Sequence, residues 1–315
     1  MNNIIYLNPR TYKINKLGDV NAKYRPIQSG IYISPESNEI SNSIFDVFKY
    51  NVGTLGAIGY DANNERIIIS NAHVISQQQF GTGWLGQNIY QPHLDCLSNN
   101  KIGNLKAYIP IYKDIDNLVD AAYATIDSSI EIKETNICNY PIGNSAEPIL
   151  NDDVYICGAS TGYSEGKIIA LNVKAGYINS DKTITWFIDQ ISTNIVAEEG
   201  DSGSVLLRKS DNATLGLVFG LSPDGAVANK ATNVENLLGI KFGSPQTSTN
   251  QKYSCTEGGC LPDINGTYNT IQECEIECST TEPPKRTYNK CTVMFGAGMM
   301  VLGSYYLYQK YKRKI

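Results

Sequence analysis

The sequence predicts an all-β fold of two antiparallel β-barrels, with a small cysteine-rich module and one C-terminal transmembrane helix appended. Three observations lead there. Short apolar runs recur between Gly, Asn and Asp turns up to about residue 243, and no long amphipathic helix pattern interrupts them. His73, Asp120 and Ser202 follow one another in the order that accompanies paired antiparallel barrels, one of three orders found on unrelated folds. Beyond residue 243 the composition changes twice, first to clustered cysteines and then to an uncharged apolar run.

Composition sets the outer limits. The chain has 315 residues, enough for one large or two small domains, and 42% apolar with 18% charged residues is ordinary for a globular protein. A net charge of -5 and a pI of about 5.2 give no global electrostatic support for nucleic-acid binding, so no nucleic-acid partner is expected. The stretch Met1 to Arg10 lacks an apolar core long enough for a signal peptide. Of the eight cysteines, Cys96, Cys138 and Cys157 are scattered, Cys255, Cys260, Cys274 and Cys278 cluster, and Cys291 opens the apolar run. That distribution argues against a disulfide framework in the main domain.

Residues 1–25 are a polar lead-in, and irregular sequence continues to about residue 50 with short apolar pieces at 30–33 and 44–48. Residues 53–60 and 66–75 are apolar runs around the turn cluster Asp61-Ala62-Asn63-Asn64, which predicts a β-hairpin. His73 stands where its second strand gives way. His93, after Pro92, is read as a structural or surface loop residue. Residues 119–126 have a buried-strand pattern entered by Asp120. Further strands are expected at 154–157, 167–171, 183–188, 205–207 and 215–219, and one short helix at 233–240 with Asn233 as its cap.

The chemistry centres on Glu198-Glu199-Gly200-Asp201-Ser202-Gly203-Ser204. Gly200 and Gly203 admit backbone angles that a side chain would forbid, so two N–H groups can point into one space beside a serine oxygen. Acyl transfer needs that arrangement: a serine nucleophile next to an oxyanion hole. It also needs a base and an orienting acid. The chain has two histidines, and His73 is the candidate base. Asp120 is the candidate acid, because an aspartate entering an apolar strand costs free energy unless it is paired, and an imidazole Nδ1–H would pair it. Its rivals Asp114, Asp116 and Asp127 have polar neighbours or lack the small apolar context.

Residues 26–243 resemble the trypsin-like serine peptidases, in particular the bacterial-type branch that includes plant narrow-leaf proteins. Arg25-Pro26-Ile27 with Gly30-Ile31 is similar to that branch's entry segment, and Gly53-Thr54-Leu55-Gly56 with Ser70-Asn71-Ala72-His73-Val74 to its histidine hairpin. Gln91-Pro92, Val119-Asp120-Ala121-Ala122, the stretch Gly158 to Gly166, Asp189-Gln190-Ile191, Gly200-Asp201-Ser202-Gly203-Ser204 and Ala228-Asn229 follow in the family's order. The resemblance implies peptide-bond hydrolysis through an acyl-enzyme, without cofactor or metal. His73 would be general base and then acid, Asp120 its orienting group, Ser202 the nucleophile, and the N–H groups of Gly200 and Ser202 the oxyanion hole. His93 departs from the branch, which tends to a small residue there, and no conventional activation site lies upstream. Val196, six residues before Ser202, stands at the substrate pocket where a preference for basic residues would want an acid, so a neutral P1 residue is expected.

Residues 244–254 form a polar linker. The four cysteines at 255–278 can close two disulfides or bind one zinc; the spacing lacks the Cys-x2-Cys of common zinc sites, which favours disulfides. A unit this small needs such staples. It is similar to short cysteine motifs appended to proteins of large DNA viruses and aquatic phages, which implies a virus-encoded chain. Residues 279–290 are a charged spacer. Residues 291–308 run without a charge, and as a helix would span about 27 Å, close to the hydrocarbon thickness. Tyrosines and the basic tail 309–315 suit the interface. The expectation is therefore a membrane-anchored serine endopeptidase acting on peptide or protein substrates. The alternative is a catalytically idle scaffold of the same fold that binds partners.

Overall fold

A computed structural model of the chain describes residues 4–7, 21–36, 52–76, 84–92, 100–179, 181–245 and 252–280. His93, Cys96, Cys291, the spacer beyond residue 280, the apolar run 291–308 and the basic tail lie outside the described residues. Among the described residues, no helix is long and apolar enough to cross a membrane.

Among the described residues, two seven-stranded sheets form the larger unit and a two-stranded sheet follows them in the chain. The first has the order β3 (Gly53–Thr54), β2 (Tyr32–Pro35), β6 (Asn88–Tyr90), β7 (Lys101–Tyr108), β8 (Ala122–Thr125), β5 (Arg66–Ser70) and β4 (Ala57–Tyr60), all antiparallel. β3 and β4 are successive pieces of one stretch, one on β2 and the other on β5, so the sheet closes into a barrel. In the second sheet, β9 (Asp153–Gly158), β10 (Gly162–Ile178), β11 (Ile184–Thr193), β14 (Gly225–Lys230), β13 (Thr214–Ser222) and β12 (Val205–Arg208) also close, because β9 pairs with both β10 and β12. β1 (Ile4–Leu7) adds to the outside of β10 in parallel. Leu7 anchors it among Ala175, Phe187, Phe219 and Val227.

Period-two alternation explains why these strands read as continuous apolar runs. Ile68, Ala122 and Ala124 point into the first barrel, while their neighbours Ile67, Ile69, Ala121 and Tyr123 point at the junction of the barrels. In the second barrel Val154, Ile156 and Leu206 face inward, and Tyr155, Cys157, Val205 and Leu207 face the junction. Strands at the junction are buried on both faces, so neither face needs polar residues.

Three details differ from expectation. Cys138 and Cys157 form a disulfide within the larger unit, their Cα atoms 6.2 Å apart. They look scattered in sequence because the segment before β9 folds back onto it. The C-terminal helix α2 spans Ala231–Leu238, two residues earlier than expected, with Lys230 rather than Asn233 at its N-cap. Its start is set by Ala231, Val234 and Leu238, which insert into the junction cluster. β10 and β11 run well beyond the apolar stretches that announce them, because a strand held by ladders on both sides tolerates polar residues.

β15 (Tyr253–Thr256), β16 (Gly259–Pro262) and a helix, α3 (Ile271–Thr280), form the cysteine module. Cys255 is bonded to Cys278 and Cys260 to Cys274. The sulfurs of Cys260, Cys274 and Cys278 lie close enough for one metal ion, but as disulfides they offer no thiolate to bind it. The module is docked on the larger unit. Gly258 O accepts the Tyr108 N–H at 2.9 Å, Leu261 joins the junction cluster, and Glu275 pairs with Lys106 at 2.8 Å.

Candidate active site

β5 ends at Ser70, and one helical turn, α1 (Ala72–Ile75), follows it. That turn aims His73 at the segment leading into β8. One oxygen of the Asp120 carboxylate accepts the His73 backbone N–H at 3.0 Å, and the other lies 2.6 Å from His73 Nδ1. Asp120 is completely buried and His73 only 8% exposed. A buried carboxylate facing a ring nitrogen favours the proton on Nδ1, which leaves the Nε2 lone pair to accept one. The rival acids are elsewhere: Asp116 pairs with Lys174 and Asp127 with Lys101.

Ser202 lies on the turn between β11 and β12 and is partly exposed. The first barrel grips this turn through Thr54. The Thr54 N–H donates to Ser202 O at 2.8 Å, and its Oγ1 donates to Gly200 O at 2.7 Å while accepting the Ala159 N–H at 3.1 Å. Gly53, next to it, is wedged between the Val74 side chain and Ser202 O; a Cβ there would meet them at 2.6 and 2.9 Å. The turn carrying His73 and the turn carrying Ser202 therefore flank a single residue of β3.

Gly200 and Gly203 take φ of +95° and +97°. A Cβ at Gly200 would also stand 2.3 Å from Ser160 Oγ. Within this turn, Asp201 N–H donates to Glu198 O, Gly203 N–H to Val218 O and Ser204 N–H to Asp201 O. The N–H groups of Gly200 and Ser202 donate to no other described residue. Substituting Ala for Gly200 combines a strained φ with a contact too close to keep. Backbone strain of this kind costs on the order of 1–3 kcal/mol, so the Gly200→Ala variant is expected to unfold at a temperature lower by several degrees. Thermal unfolding of the variant beside the wild type measures it.

The buried Asp201 carboxylate holds the turn from behind. It accepts the N–H groups of Glu198, Ser160 and Thr161 at 2.8, 2.9 and 3.0 Å, and the Thr161 hydroxyl as well. Burial pushes its carboxyl above the ordinary aspartate range, and these hydrogen bonds pull the other way. It thereby ties the serine turn to the hairpin Gly158–Gly162, the close approach being made by Gly158 against the Asp201 carboxylate.

Val196 is 70% exposed on the stretch before Gly200, where it offers open apolar surface rather than an enclosed wall. Sequence reasoning misses Thr54 as the grip on the turn, Asp201 as its hub and Asn229 behind Asp120. Asn229 had one visible signal: an amide closing the apolar run Ala226-Val227-Ala228.

No protein-family model matches the chain, and no curated protein matches it in sequence. Among solved structures it is similar to a Nocardiopsis protease (NAPase), with 15% identity, a TM-score of 0.49 and coverage of 69% of this chain and 99% of that one. It is also similar to Thermobifida fusca protease A, with 15% identity, a TM-score of 0.47 and coverage of 70% and 100%. A third is the alpha-lytic protease homolog N4, with 15% identity, a TM-score of 0.49 and coverage of 69% and 98%.

Proposed function

We propose that the chain is a serine endopeptidase that hydrolyses peptide bonds through an acyl-enzyme. The observation that carries this reading is the two-point hold of the buried Asp120 on His73, at 3.0 and 2.6 Å, beside a glycine-flanked serine turn. Ser202 Oγ attacks the scissile carbonyl as His73 Nε2 takes its proton. The carbonyl oxygen gathers negative charge, and the N–H groups of Gly200 and Ser202 stabilise it. Collapse breaks the C–N bond, and the imidazolium returns its proton to the departing amine. Water then attacks the acyl-enzyme, giving its proton to His73, and Ser202 is regenerated as the acid leaves. Asp120 stabilises the imidazolium in both halves and fixes the tautomer.

The reading extends to specificity and location. An apolar residue at Val196, where a preference for basic residues would want an acid, supports a neutral P1 residue. Assay of the purified protein on a peptide series varied at P1 is expected to show cleavage after small or apolar residues. Absence of any cleavage counts against the enzyme, and strict cleavage after Lys or Arg against the P1 reading. The uncharged run 291–308 supports a membrane tether. Deleting residues 291–315 is expected to move the protein from the membrane to the soluble fraction; a full-length chain already soluble contradicts the tether.

A further inference from the structure

The two barrels meet through apolar surface, with Ile67, Ile69 and Tyr123 of the first against Val205 and Leu217 of the second. Burial of this kind favours contact and is indifferent to small slides. Yet Ser202 stands on the second barrel and the His73–Asp120 pair on the first, and a slide of about 1 Å would misalign them. Something directional has to set the register.

We propose that Asn229 is the positioning residue that does so, by clamping the main chain of Asp120 to the second barrel; this rests on the serine-peptidase reading above. Asn229 is completely buried on β14. Its Oδ1 accepts the Asp120 N–H at 3.0 Å, and its Nδ2 donates to Asp120 O at 3.3 Å and to Leu217 O at 3.1 Å. One side chain thus satisfies both backbone groups of the triad acid from across the junction and leaves its carboxylate for His73. From the first barrel, Asn71 Nδ2 donates to the same Asp120 O at 2.7 Å. Three further hydrogen bonds continue the seam along the same segment. Gln190 Nε2 donates to Leu118 O at 2.9 Å. Asn117 N–H donates to Trp186 O, and Ile188 N–H to Asn117 O, each at 2.9 Å. The chain from Asn117 to Asp120 is laced to β11 and β14, and its last stitch falls on the acid itself. Asn229 touches no substrate; it acts through Asp120.

The test uses the full chain and Asn229→Leu, which keeps the branched four-heavy-atom shape of the side chain and removes both hydrogen-bonding groups. The rate of Ser202 labelling by a fluorophosphonate is expected to fall about 10- to 100-fold. In an Asp120→Asn background the same change is expected to alter the rate less than about 2-fold, because residues acting as one unit are not additive. A second readout is the imidazole Nδ1–H proton resonance, which has two histidines to come from. A strongly deshielded signal is expected in the wild type, lost in Asp120→Asn, and shifted or broadened in Asn229→Leu. Wild-type labelling rate and an unchanged resonance in Asn229→Leu overturn the proposal, as does an equal loss in both backgrounds. If the wild type does not label at all, the peptidase reading fails, and the resonance arm still decides whether Asn229 positions the pair. Should Asn229→Leu not fold, Asn229→Ala is measured in its place; if neither folds while Asp120→Asn does, Asn229 serves the fold alone and the proposal is overturned.

Discussion

Replacing Ser202 by alanine is expected to lower peptide hydrolysis by about 10⁶-fold while leaving the fold intact. The scale follows from the serine's place in a unit whose loss removes covalent catalysis altogether, with a residual of about 10³–10⁴ over water left to the oxyanion hole and binding. The fold is insulated because the contacts of residue 202 are made by its main chain. Ser202 O accepts the Thr54 N–H, and Gly203 and Ser204 carry the ladder to Val218. The Oγ is lost from a partly exposed position, so the melting temperature is expected to stay within a few degrees. Activity assays paired with thermal unfolding measure both. A variant that retains more than about a hundredth of the activity contradicts Ser202 as nucleophile.

The second large effect is expected from Asp120→Asn, a fall of about 10⁴-fold in kcat with little change in KM. The substitution preserves shape at a completely buried position. An amide oxygen can still accept the His73 backbone N–H, as Asp120 Oδ1 does at 3.0 Å. The amide nitrogen would then face His73 Nδ1, which is 2.6 Å from Asp120 Oδ2. A donor there forces Nδ1 to accept, which puts the ring proton on Nε2, where the serine proton has to go. The imidazolium also loses the buried charge that stabilises it. A completely buried carboxylate offers no surface to a substrate, hence the expected split between kcat and KM. A variant altered mainly in KM contradicts the role assigned to Asp120.

Much of this was open to reading in the chain. Asp120 stands apart from Asp114, Asp116 and Asp127 because its neighbours are small and apolar, and a carboxylate in such company needs a partner. The structure supplies His73 to it and gives surface lysines to Asp116 and Asp127. Runs such as Ile67-Ile68-Ile69 were legible as strands, but period alone does not say that Ile68 fills a barrel while its neighbours fill the junction. What stayed hidden depends on partners remote in sequence. Thr54 reaches Gly200 across 146 positions, and Asn229 reaches Asp120 across 109. The Cys138–Cys157 bond needed the turn that brings its two cysteines together. Residues 4–7 gave no strand signal beyond a short apolar string, and they pair only because β10 presents an open edge.

The central claim is that Ser202 is a nucleophile activated by His73. Intact-mass spectrometry after treatment with a fluorophosphonate tests it most directly, with peptide mapping to locate the adduct. One adduct on Ser202 of the wild type, and none on Ser202→Ala, is the predicted result. A folded wild type that takes no label, or a Ser202→Ala variant that labels as well as the wild type, would contradict it.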